Sequence, residues 1–88
     1  MNEKTKENIE EIAHLYKEIK DFCDGYNLTR DFDIYFYKIQ AKISKLSDYT
    51  VRLEREKHNS NIRRGVYNIY IMADLETENA IKEVLNGE

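Results

Sequence analysis

Eighty-eight residues contain no proline and only three glycines. Proline and glycine are the residues that stop helices and build tight turns. Their scarcity predicts long helices and argues against an all-β fold. At about 100–150 residues for a typical domain, residues 1–88 read as one domain with one core.

Apolar spacing supports that reading. Ile9, Ile12, Ala13, Leu15, Tyr16, Ile19, Phe22 and Cys23 recur in steps of three and four, one stripe of a 3.6-residue helix. A first helix is therefore expected from about Thr5, as its cap, to Asp24, with Gly25 ending it. Thr29 offers a second cap. Phe32, Ile39, Leu46 and Leu53 repeat every seven residues, with Phe36, Ile43 and Thr50 in the adjoining row. This pattern predicts a second helix to about Lys57. Such a helix would reach roughly 40 Å, so an elongated or paired molecule is expected.

His58-Asn59-Ser60-Asn61 reads as the next turn, with Ser60 or Asn61 capping the last segment. Residues 66–75 are apolar apart from Asn68 and Asp74, a run that suits a strand or a buried helix. A strand here would find no partner elsewhere, so a helix is expected, with the polar stretch 74–79 able to split it. The predicted fold is an all-α antiparallel bundle of three long helices, or four if that last segment breaks.

Charge is uneven along the chain. Residues 1–33 carry a net −4, residues 34–64 a net +5 and residues 65–88 a net −4. Lys38, Lys45 and Arg52 share one heptad position, and Arg55, Lys57, Arg63 and Arg64 crowd the following turn. The structural reading places these basic rims along acidic rims of the other helices. The functional reading makes them a surface for an acidic partner, a lipid headgroup or nucleic acid. A sequence pI of about 5.4, with neither a helix-turn-helix nor an RNA-binding aromatic motif, ranks nucleic acid last.

Catalytic patterns are missing from the sequence. Glu11 and His14 form a single carboxylate–histidine pair, whereas a di-iron bundle needs two pairs and two further carboxylates. Cys23 lies on the apolar stripe and reads as core, and one cysteine excludes a disulfide framework. Asp31 and Asp33 fit the first turn of a helix. No phosphate loop, paired-cysteine zinc spacing or nucleophile elbow occurs. A non-enzymatic protein without cofactor or metal is expected. No apolar run reaches the ~20 residues of a membrane span, and the first residues lack a signal core, so a cytoplasmic location is expected.

Tyrosines supply the binding hint, seven of them without a tryptophan. Tyr16, Tyr35, Tyr49 and Tyr70 read as lining core seams. Tyr37, with Ile34, Ala41 and Val51, falls on the side of the second helix away from its heptad stripe. Either other helices cover this second apolar face or a partner does. Tyrosine and arginine are common interface anchors. The candidate partner contacts are Tyr37, Arg52, Arg55, Arg63, Arg64 and Tyr67.

The segment from Ile9 to Ile19, with its Leu15-Tyr16 pair, resembles the opening helix of immunity proteins for pediocin-like bacteriocins, the enterocin A immunity type. Ile62-Arg63-Arg64-Gly65-Val66-Tyr67-Asn68-Ile69-Tyr70 is similar to their third helix, and the lysine-rich stretch from Ile39 to Lys57 to their long middle helix. The resemblance spans residues 8–75 in pattern, without the proline that precedes the third helix in that family. It implies a cytoplasmic four-helix bundle that protects a bacteriocin producer through a membrane sugar transporter with bound bacteriocin. The alternatives are a small phage or mobile-element regulator of a host protein and, behind it, a nucleic-acid-binding regulator using residues 38–64. A homodimer is compatible with each.

Overall fold

A computed structural model describes residues 1–23, 30–55 and 68–87, with the side chains of Arg30 and Asp31 left aside. In chain order the elements are α1 (Glu3–Cys23), α2 (Arg30–Ser47), β1 (Arg52–Arg55), β2 (Ile69–Met72) and α3 (Leu75–Asn86). The expected all-α bundle is thus corrected. Three helices remain, only two of them long, and a two-stranded antiparallel sheet stands where the second helix was to end and the third to begin.

α1 forms for the expected reason. Ile12, Ala13, Leu15, Ile19 and Cys23 are buried along one stripe, and His14 is exposed on the other side. Its cap is Asn2 rather than Thr5, because the Asn2 side-chain oxygen accepts the Lys4 N–H at 2.9 Å. Thr5 instead lies fully buried and donates its hydroxyl to the carbonyl of Ser47 at 3.1 Å. Asn8 donates to the Leu46 carbonyl at 3.2 Å. The first two turns of α1 therefore satisfy carbonyls that the C-terminal end of α2 leaves without intrahelical donors.

Those bonds fix α1 and α2 as an antiparallel pair. At the opposite end Phe22 stacks on Phe32, centroids 5.9 Å apart, and meets Tyr35 at 4.7 Å. Phe32, Phe36, Ile39 and Ile43 form the buried stripe of α2, so the heptad reading holds as far as Leu46. Beyond it the helix stops. The Ser47 hydroxyl folds back onto the Ile43 carbonyl at 2.7 Å and accepts the Val51 N–H at 3.4 Å. Asp48 and Tyr49 then turn left-handed, with φ of 50° and 66°, a conformation that ends helices. Val51 is buried beyond this turn and so does not belong to the outer face of α2.

β1 runs back along α2, where the Gln40 side chain accepts the Leu53 N–H at 2.8 Å. Leu53 and Ile69 face inward and are buried, while Arg52, Glu54, Tyr70 and Met72 face out in the cross-strand pairs Arg52–Met72 and Glu54–Tyr70. On the other side of the sheet, Tyr16 of α1 donates its hydroxyl to the Ile69 carbonyl at 3.4 Å. The apolar run 69–72 thus finds its strand partner in residues 52–55. Tyr49 and Tyr70, expected in core seams, are exposed, whereas Tyr16 and Tyr35 are half-buried.

α3 starts at the polar stretch expected to break the last segment. Asp74 is its cap, accepting the Thr77 N–H at 2.8 Å, and this bond holds the Asp74 carboxyl below its ordinary value. Ile81 is fully buried and packs α3 on the shared core. Near it the Thr77 hydroxyl is buried and makes no full hydrogen bond, though it lies near enough to the Asp74 carboxyl to help keep it ionised.

The molecule measures 42 × 24 × 18 Å, and α2, at 18 residues, falls well short of the roughly 40 Å helix on which the expected elongated or paired shape rested. The expected roles of Gly25, Thr29 and residues 56–61 lie outside the described residues.

Candidate binding surface

The surface grows from the side of α2 that no described helix covers. α2 packs against α1 and β1, and α3 packs against α1. At 100° per residue, Ile34, Tyr37, Ala41 and Ser44 line up opposite the buried stripe. Ile34 is 49% exposed and Tyr37 61%. Lys38 and Lys45, one heptad apart, border this stripe on one flank.

The left-handed turn completes it. A non-glycine residue in this backbone region is uncommon, and more so with a bulky side chain. Two in succession carry Tyr49 off the end of α2, where it is 83% exposed. Its ring stands between two open depressions. One, of about 300 Å³, lies between α2 and the sheet and is lined by Gln40, Ser44, Tyr49, Val51, Arg52 and Met72. The other, of about 470 Å³, is lined by Lys4, Ala41, Ser44, Lys45, Asp48 and Tyr49. Tyr70 and Met72 continue the apolar surface across the outer face of the sheet.

Charge along the α2 part of this surface is one-sided. From Ile34 to Ser47 there are three lysines and no carboxylate. Lys38, Lys42, Lys45 and Arg52 are exposed, and none makes an ion pair with a described residue. These four cations therefore do not make the expected pairs with acidic rims of neighbouring helices, whereas Arg55 of the same basic block pairs with Asp33. Asp48, at the end of the groove, faces Lys4 at 3.3 Å.

The six candidate contacts separate. Tyr37 and Arg52 fall on this surface. Arg55 is half-buried instead, pairs with Asp33 and lies over the Phe36 ring at 5.5 Å. It ties the end of β1 to the first turn of α2, a positioning role. Arg63, Arg64 and Tyr67 lie outside the described residues. Tyr49, Tyr70 and Met72 also lie on this surface and were not among the candidates. The Ser47-Asp48-Tyr49-Thr50 sequence is the signal that could have found Tyr49, because such polar clusters mark turns.

The two arginines of β1 give a direct comparison. Removing a partly exposed ion pair and a cation–π contact costs about 1 kcal/mol, so Arg55→Ala should lower stability by that amount. Arg52→Ala should leave stability within about 0.5 kcal/mol of wild type. Urea unfolding of the two variants checks this.

Tyr35 supplies a pH signature of the α1–α2 seam. Burial, helped by its hydrogen bond to Glu18 and by that residue's negative charge, pushes the phenol up to about 12. The folded state thus favours the neutral phenol. The stability this adds is present below pH ~10, the ordinary tyrosine value, and is lost as pH rises toward 12. An ultraviolet titration should show the Tyr35 phenol ionising near 12, a late step that Tyr35→Phe should remove.

Among the described residues no group of three or more histidine, cysteine, aspartate or glutamate side chains could hold a metal ion, and Cys23 is a buried core thiol. No described helix is long and apolar enough to cross a membrane. No protein-family model, curated protein or solved structure matches the chain.

Proposed function

We propose that this chain is a non-enzymatic protein-binding module that works through the outer face of α2, the Tyr49 turn and the outer face of the sheet. One observation carries the reading. A surface rich in exposed aromatic and apolar side chains is bordered by cations that the described fold leaves without ion pairs. Exposed apolar patches with a polar rim are characteristic of interaction sites. Open depressions of a few hundred Å³ suit single side chains of a protein partner.

Immunity to a pediocin-like bacteriocin is one form this function can take. The resemblance behind it implies a four-helix bundle, and residues 52–55 and 69–72 are strands instead. Regulation of a host protein uses the same surface and does not depend on a bundle. The proposal accordingly rests on protein binding, with the partner open.

Affinity capture from the expressing cell, with purified chain as bait, tests it. Tyr37→Ala/Met72→Ala should lose the partner that wild type retains. Glu11→Ala, exposed on α1, should keep it. Equal capture by all three baits would contradict the proposal.

A further inference from the structure

We infer that the occupant of this surface is an acidic amphipathic helix from a protein partner, its apolar stripe laid on Ile34, Tyr37, Ala41 and Tyr49 and its carboxylates facing Lys38, Lys45 and Arg52. The inference rests on the binding reading and adds the partner's chemistry. Three observations lead to it.

The apolar strip is narrow and long. From Ile34 to the helix end at Ser47 it follows α2 for about 20 Å at 1.5 Å per residue, between three and four helical turns, and Tyr49 stands just beyond that end. Helix-in-groove recognition uses apolar anchors at spacings of three and four, and the depressions flanking Tyr49 offer places for such anchors.

The cations sit on both flanks. Lys38 and Lys45 border the strip on one side, and Arg52 lies across it beside Met72. A helix seated between them, with carboxylates on its two shoulders, meets cations on each. The carboxylate at the end, Asp48, is already engaged by Lys4.

Charge also argues against the other occupants. A symmetric dimer through this face would bring the Lys38–Lys45 rims of two copies together, and like charges across an interface are costly. A nucleic acid would match the cations but leave Ile34, Ala41 and Met72 without use.

Selection of 16-residue peptides displayed on phage, against the whole immobilised chain at low salt, tests the inference. Expected are sequences with apolar residues at helical spacing and aspartate or glutamate between them. Re-synthesised, the best of them should bind at least tenfold more weakly to K38E/K45E/R52E, whose circular dichroism should match wild type, and should weaken as salt rises. Enrichment of neutral or basic peptides would overturn the acidic-helix inference while leaving protein binding standing. Failure to enrich any peptide would overturn it too. Tighter binding of a 20-base-pair duplex than of any peptide would overturn both and favour nucleic acid. Concentration-dependent dimerisation abolished by K38E/K45E/R52E would overturn it by assigning the face to a second copy.

Discussion

Tyr49→Gly should weaken partner binding about thirtyfold or more while leaving the protein as stable as wild type, or more stable. The direction on stability follows from the backbone. Tyr49 sits at φ 66° with most of its side chain in water, so the fold gains little from the ring and bears the left-handed strain. That conformation costs an L-residue roughly 1–2 kcal/mol, and glycine adopts it freely. The direction on binding follows from the ring standing between the two depressions. Loss of a central aromatic anchor typically costs 2 kcal/mol or more, about thirtyfold in affinity. Thermal unfolding and titration with the captured partner read the two effects separately. A large fall in melting temperature would show that Tyr49 is held for the fold.

The second large effect contrasts the two faces of α2. Ile43 is fully buried among α1, α2 and the sheet residues of the core, whereas Tyr37 on the same helix is 61% exposed. Ile43→Ala should cost about 2–5 kcal/mol, the range for truncating a buried aliphatic side chain. A domain of this size has only a few kcal/mol to lose, so extensive unfolding at 37 °C is expected. Tyr37→Ala should change stability by less than about 1 kcal/mol and act on binding alone. Equal destabilisation by both would mean that the outer face of α2 is covered within the monomer.

These two faces were legible in the sequence, and the second half of the fold was not. The stripes of α1 and of α2 as far as Leu46 are long and regular, and such periodicity reads directly as packing. The same heptad also reached Leu53, and that coincidence concealed the turn at Ser47. Extending α2 to Lys57 then removed residues 52–55 from the possible strands, which left the run 69–72 without a partner and made it look helical. One missed turn thus produced both errors. A four-residue strand such as Arg52–Arg55 shows too little alternation to declare itself. Ser47 ends the helix through bonds to Ile43, Val51 and Thr5 that depend on tertiary placement. For the surface, Tyr37 and Arg52 were readable because each lay off the apolar stripe. Met72 and Tyr70 face outward only because the segment is a strand. Arg55 was grouped with Arg52 by composition, yet adjoining Asp33 and Phe36 draw it into the fold.

The central claim is that the outer surface of α2 and the Tyr49 turn is where this protein meets its partner. Position-specific photo-crosslinking in the expressing cell tests it most directly. A benzophenone amino acid at position 37 or 49 should trap one protein of defined mass, and the same group at exposed position 11 or 14 of α1 should not. Crosslinks of the same mass from positions 11 and 14, with none from 37 and 49, would contradict the claim.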